Sequence, residues 1–269
     1  MKFARSLGKR LFDVGVSAAG LAGLSAVVAP VLFLVWRGDG HSPFYVAARI
    51  GEGRRPFRMV KIRSMVIGAD RSGVDSTSSA DPRITSVGRF VRRTKLDEVP
   101  QLWNVLRGEM SLVGPRPNVE RGVAVYTDVE LGLLAARPGI TDLASIVFAD
   151  EGAILADSAD PDLDYDRLIR PWKSRLGLLY VEQASLRLDV EILALTVLSA
   201  VSRDRALAAV QRILERLGAD PELLRVAARQ DELQPHAPPG TDVIAEVWDP
   251  DGARSPGGSI ESTPLSACA

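Results

Sequence analysis

The 269 residues allow one large domain or two small ones, and 33 basic against 34 acidic side chains name no partner by bulk charge, so nucleic acid is not expected among the partners. A single cysteine, Cys268, excludes a disulfide framework and fits a reducing compartment. Two histidines, His41 and His236, lie far apart with no cysteine near them, which excludes a zinc site of nitrogen and sulfur ligands.

The chain starts basic, with Lys2, Arg5, Lys9 and Arg10, and then runs from Val14 to Trp36 without a charge. That is longer than the roughly 20 residues a helix needs to cross a hydrocarbon core. A cleaved signal peptide fits badly, because Asp13 sits where the apolar region should begin. A single spanning anchor and a hairpin that enters and leaves by one leaflet both stay open. Pro30 removes a backbone donor and clashes with the carbonyl of Ala26, so a break is expected there, although proline kinks also occur in spanning helices. Basic residues flank the run on both sides, which gives no clear orientation.

Phe57 to Arg63 mixes apolar and basic residues in a pattern that predicts a half-buried strand with a cationic outer face. Lys61 and Arg63 are its candidate phosphate-binding groups. Residues 68–83, rich in Gly, Ser and Asp, predict a surface loop. Thr94-Lys95-Leu96-Asp97 has the Ser/Thr-x-x-acid form of a helix start. Pro100 suits a first turn, Val99, Leu102, Trp103 and Leu106 share a face, and Gly108 ends the helix. Asp97 and Glu98 would then sit where free backbone amides favour negative charge. One acid suffices to cap, so the second, set among Arg89, Arg92, Arg93 and Lys95, points to a phosphorylated substrate. Gly114-Pro115-Arg116-Pro117 is a rigid turn that holds a guanidinium ready for phosphate.

Further on, a helix is expected from Glu120 to Ala136, a turn at Arg137 to Thr141, and a helix from Leu168 to Leu188. A strongly apolar helix over Leu188 to Leu198 is either core or laid against a membrane interface. After Arg203 an amphipathic helix closes at Gly218. From about Gln230 little can be buried, and a disordered tail is expected. The divisions are therefore 1–37 for the basic start and membrane segment, 38–202 for the catalytic domain, 203–229 for amphipathic helices and 230–269 for the tail.

Taken together, several of these motifs resemble the bacterial sugar transferases, the monotopic phosphoglycosyl transferases. The resemblance rests on Lys9 to Asp13, the block ending Lys61-Ile62-Arg63-Ser64-Met65, Asp81 to Thr85, Leu96 to Leu106, Met110 to Pro117, and Pro138 to Thr141. It implies a mixed, helix-rich α/β domain on the cytoplasmic face of a bacterial inner membrane, with interfacial amphipathic helices. A re-entrant hairpin broken at Pro30 would carry it. It implies transfer of a sugar-1-phosphate from a nucleoside-diphosphate sugar, a UDP-sugar above all, to a polyprenyl phosphate, usually undecaprenyl phosphate. Such a step starts assembly of exopolysaccharide, capsule, O-antigen or another glycoconjugate. It assigns Asp97 as the nucleophile of a covalent phosphosugar intermediate, Glu98 as support for Mg2+, and Arg92 and Arg116 as phosphate ligands. Arg92 and Arg93 would lower the pKa of Asp97. The sequence departs from the family after Thr141, where Asp142 to Glu151 replaces a Gly and Gln-Val-Asn-Gly-Arg run, so donor identity stays open. A catalytically silent scaffold and a binder of anionic lipid are the alternatives, and self-association is a further open point.

Overall fold

In the computed structural model, which describes residues 7–69 and 81–245, the apolar run forms one helix, α1 (Leu7–Asp39), with Pro30 inside it. Pro30 does not break the helix, contrary to expectation. It costs one backbone bond, and the apolar turns on either side keep theirs. Lys9, Asp13 and Ser17 are buried near one end and Val31 and Val35 near the other. At 3.6 residues per turn these positions share one stripe. Leu24 and Val27 fall on the same stripe yet are 37% and 50% exposed, so the middle of α1 stands clear of the domain that holds its two ends. The basic residues Lys2 and Arg5, most of the 68–83 loop, and the tail from 246, with Cys268, lie outside the described residues.

Strands β1 (Phe44–Ile50) and β2 (Pro56–Ile62) form an antiparallel hairpin with Tyr45 opposite Lys61 and Ala47 opposite Met59. The expected single cationic face is not there. Met59 and Ile62 lie on opposite faces of β2 and both are buried, because each side of the strand is covered. Met59 joins the main core, and Ile62 packs with Val31, Val35 and Val91 in a second, smaller cluster. The basic groups are split accordingly: Arg58 is exposed, Lys61 is half-buried, and Arg63 lies past the strand end.

Helix α2 (Ser86–Arg93) is capped by Thr85, whose side chain accepts from the Gly88 amide. A methyl on Gly88 would lie 1.8 Å from the Ser64 carbonyl oxygen, so only glycine lets α2 lie this close to the chain leaving β2. Thr94 ends α2, its Oγ1 bonded back to the Phe90 carbonyl at 2.9 Å. The expected Thr94 cap therefore does not form. Lys95 turns left-handed (φ 57°), and a 3-10 turn, Leu96–Glu98, precedes α3 (Gln101–Arg107). The residues ahead of Thr94 are helical in their own right, which leaves it in a last turn instead of a first.

β3 (Ser111–Val113) runs parallel to β4 (Gly139–Thr141). The single helix expected between them is two pieces, α4 (Glu120–Ala124) and a 3-10 turn, Glu130–Ala135. Thr127 and Glu130 restart the chain reciprocally: the Glu130 amide donates to Thr127 Oγ1 at 3.1 Å and the Thr127 amide to Glu130 Oε2 at 3.0 Å. Short helices α5 (Leu143–Val147), α6 (Glu151–Ile154) and α7 (Pro161–Asp164) lead through a π-helical turn, Tyr165–Ile169, into α8 (Arg170–Gln183). α9 (Leu186–Val201), α10 (Arg203–Arg216) and α11 (Pro221–Ala227) complete the chain of helices.

The main core gathers Leu143 and Ile146 of α5, Leu176 and Tyr180 of α8, Ile192 of α9 and Leu214 of α10. Thus α10 shares the core of the domain before it and does not stand apart. α9 serves both expected roles: Leu188, Ile192 and Leu195 are buried, while Val197 and Val201 on the other side are 70% and 84% exposed. Residues 230–245 form no helix or strand, yet they lie on the domain and are no free tail. The His236 amide donates to the Arg167 carbonyl at 2.9 Å, and Thr127 Oγ1 donates to the Pro239 carbonyl at 2.5 Å.

Candidate active site

The turn after α2 carries the acidic pair. Asp97 is buried, and its Oδ1 has no hydrogen-bond partner among the described residues. Glu98, beside it, is gripped by Arg116 through both carboxylate oxygens, at 2.6 and 3.0 Å. Lys61 Nζ approaches Glu98 Oε1 to 3.8 Å. Arg92, one helical turn earlier, donates from Nε to Ser64 Oγ at 2.9 Å and lies close enough for its charge to act on Asp97. Leu96 packs on the second cluster with Val31 and Val35, so the end of α1 supports the acidic turn from beneath.

Arg116 is positioned by a backbone crossing. The Gly114 amide donates to the Thr141 carbonyl at 3.1 Å, and the Gly139 amide to the Pro115 carbonyl at 3.0 Å. A methyl on Gly139 would lie 2.1 Å from the Gly114 nitrogen. The two proline-rich turns seen separately in the sequence are thus one structure. Arg116 Nη1 closes it with a 2.5 Å bond to the Ile140 carbonyl.

The far end of α1 is wired to the same place. Lys9 Nζ donates to Asp189 Oδ2 at 2.7 Å and to the Val113 carbonyl at 3.3 Å. Tyr180 donates to Asp189 Oδ1 at 2.6 Å, and Ser111 Oγ donates to Asp13 Oδ2 at 2.8 Å. Arg10 donates to the Val105 and Leu106 carbonyls at the end of α3, at 2.5 and 2.8 Å. No local pattern in the sequence links α1 to α9, so only the folded chain joins Lys9, Asp13 and Asp189 in one network.

The electrostatics divide the acidic pair. Burial raises the pKa of Asp97, and the Glu98 charge adds to it, outweighing Lys61, Lys95 and Arg92. The expected lowering of Asp97 is therefore reversed, since the turn supplies no cap bond and burial dominates. Burial also pushes Glu98 up, but Arg116 and Lys61 overcome it and hold Glu98 down at about 2. Burial lowers Lys61, an effect Glu98 only partly offsets.

Of the residues expected at a site, Asp97, Glu98, Arg92, Lys61 and Arg116 come together. Arg63 does not. Its guanidinium is buried against Asp39 at the end of α1, with Nη2 at 2.7 Å from Oδ1 and Nε at 2.8 Å from the Ser42 carbonyl. Pro30 lies well along α1 from these residues in sequence and lines no part of the site. Among the described residues no three His, Cys, Asp or Glu side chains form a metal-binding group. A magnesium ion needs only one or two protein carboxylates beside water and substrate phosphate. Glu98, beside the orphaned Asp97 oxygen, is the carboxylate that would meet that donor requirement.

A cavity of about 180 Å³ opens beside Arg116. Tyr126, Asp142, Tyr165 and Lys173 are among its walls. Neither tyrosine stood out in the sequence, since each lies in a stretch with no motif.

Residues 4–203 match the family described as Bacterial sugar transferase. The UDP-galactose-lipid carrier transferase of Erwinia amylovora is 35% identical over 214 residues, 74% of this chain and 41% of its own length. The undecaprenyl-phosphate galactose phosphotransferase of Salmonella typhimurium is 34% identical over 216 residues, again 74% and 41%. The exopolysaccharide production protein ExoY of Sinorhizobium fredii is 39% identical over 155 residues, 52% of this chain and 69% of its own length. The chain thus spans about two fifths of the first two relatives.

Proposed function

The chain belongs to the bacterial sugar transferase family, and from that premise we propose that it transfers a sugar-1-phosphate from a UDP-sugar to undecaprenyl phosphate at a membrane surface. The observation that carries this reading is the buried Asp97 with one unpaired oxygen, set among Arg92, Lys61 and the Glu98–Arg116 pair. The relatives supply the substrate classes: their names give a UDP-galactose donor, a lipid carrier and undecaprenyl phosphate.

The reaction is a double exchange at one phosphorus. An ionised Asp97 oxygen attacks the phosphorus that bears the sugar. The bond to the second phosphate breaks, and nucleoside monophosphate leaves with its electron pair. An oxygen of the polyprenyl phosphate then attacks the same phosphorus and displaces Asp97. Poor solvation makes Asp97 a better nucleophile than a solvated carboxylate. Arg92 and Lys61 offset the charge that accumulates as the anions meet. Arg116 is shared between Glu98 and donor phosphate, and Glu98 keeps it aimed while no donor is bound. Magnesium, when bound through Glu98 and the donor, would neutralise diphosphate charge.

The acceptor comes from the bilayer, and α1 supports a membrane-held enzyme. α1 is the one described helix long and apolar enough to cross a membrane. Its two ends are tied to the same domain, by Lys9 and Asp13 at one and by Val31, Val35 and Asp39 at the other. We read this as a helix laid into the cytoplasmic leaflet of the inner membrane without crossing it, which keeps both its ends and the domain on the cytoplasmic side. The decisive test is Asp97→Asn with labelled nucleotide sugar. Turnover should fall by about 10⁴-fold, and wild type without acceptor should retain label on Asp97. Near-normal turnover by the variant would remove Asp97 as nucleophile.

A further inference from the structure

Of the residues lining the cavity beside Arg116, only Arg116 itself has a role in the exchange just described, and the chemistry of the other walls differs from that of the acidic turn. Each cation in its wall is already neutralised. Arg116 is held by Glu98, Arg170 by Glu130 at 2.6 Å, and Lys173 by Glu151. Beyond Arg116, which the donor phosphate already claims, no wall cation is left unpaired for a further phosphate. The tyrosine faces are also engaged, with the Arg170 guanidinium 5.6 Å from the Tyr126 ring centroid and the Lys173 ammonium 5.1 Å from that of Tyr165. That leaves poor room for stacking a flat base between them.

What the walls do offer is unpaired neutral and acceptor groups. The half-buried Tyr165 lines the cavity, and its hydroxyl has no hydrogen-bond partner among the described residues. Asp142 spends Oδ1 on the Ser145 amide and hydroxyl, both at 2.6 Å, and its Oδ2 has no hydrogen bond among the described residues. Tyr165 opens a π-helical turn, an irregularity that costs regular hydrogen bonding and is often kept where a side chain must reach a site. A small polar space with paired cations, a free hydroxyl and a free carboxylate oxygen suits a polyhydroxylated ring.

We infer that this cavity receives the sugar ring of the donor, with Tyr165 and Asp142 as the residues that select it. The inference rests on the transferase reading, and it places the sugar beside Arg116 in a cavity that neither Asp97 nor Glu98 lines. Selection follows from hydrogen bonding: a hydroxyl of the wrong configuration leaves Asp142 Oδ2 or the Tyr165 hydroxyl buried and unpaired.

The test uses the full chain in lipid, a panel of nucleotide sugars that includes UDP-glucose and UDP-galactose as an epimeric pair, and release of nucleoside monophosphate as readout. Tyr165→Phe should lower kcat/KM for the preferred donor by roughly three- to tenfold, and Asp142→Asn by roughly ten- to hundredfold. Both should change the ratio between epimeric donors. Inhibition by the free nucleoside diphosphate, which lacks the sugar, should stay within about twofold of wild type. Asp142→Asn keeps the oxygen that caps Ser145, so loss of fold does not mimic the effect, and Tyr165→Phe keeps the ring under Lys173. An unchanged donor ratio in both variants overturns the inference. So does inhibition by nucleoside diphosphate that weakens in step with turnover, because the nucleoside would then occupy the cavity. If wild type releases nucleoside monophosphate from no sugar in the panel, the transferase reading falls and takes this inference with it.

Discussion

At the scale of single residues, Asp97, the proposed nucleophile, is held buried at a cost in stability. Its carboxyl is held above the ordinary aspartate value by burial and by Glu98. The folded chain therefore binds the Asp97 proton more tightly than the unfolded chain does. Between the unfolded and folded values, stability falls as pH rises. Asp97→Asn removes the buried charge and its repulsion with Glu98. It should raise stability by about 1 kcal/mol while abolishing turnover, as denaturant unfolding at neutral pH would show. Attack needs the ionised form, so the acid limb of kcat/KM should lie above the usual aspartate range. Lys61, lowered by burial, should lose its charge below its usual range and supply an alkaline limb. In Lys61→Met the alkaline limb should move or vanish, and an unaltered profile would exclude Lys61 from the site. Glu98, held at about 2, stays ionised throughout and should not shape the profile.

At the scale of elements, two features set the position of Arg116. The first is the crossing of Gly114 and Gly139. Gly139→Ala drives a methyl into the Gly114 backbone, which no side-chain rotation can relieve. We expect a loss of about 3 kcal/mol, at the upper end for overpacking, and a larger fall in turnover than stability alone explains. The second is the polar anchor of α1. Lys9→Met strands the buried Asp189 without its cation, which typically costs about 3–5 kcal/mol. Asp189 is already raised by burial and can take a proton, so the lower end applies. Limited proteolysis should then cut near α1 first. The Pro-Arg-Pro turn was legible in the sequence because prolines declare a rigid turn locally. That it crosses the second turn, and that Arg116 meets Glu98, was not legible, because strand pairing over such a separation leaves no mark in either segment.

At the scale of the whole molecule, two helices carry much of the uncovered apolar surface. The exposed middle of α1 and the outer residues of α9 leave large side chains without protein cover. Single cysteines at positions 6 and 40, in a chain with Cys268 replaced by serine, give the topology directly. Both should label from the cytoplasmic side in sealed inverted vesicles. Labelling from opposite faces would show a spanning helix, and the shared anchoring of the two α1 ends to one domain would then need another cause.

The sequence by itself determined the local features. These are the long apolar helix, the acidic pair, the rigid arginine turn, the amphipathic helices and the family. Each is encoded in residues close together along the chain, where periodicity and turn chemistry act. Tertiary structure alone decided which cations serve the acidic pair and which do not. Lys61 reaches Glu98, whereas Arg63, two residues on, is spent on Asp39. It also reversed the direction of the Asp97 pKa. Desolvation and charge pairing depend on what surrounds a group in three dimensions, and those neighbours come from distant parts of the chain.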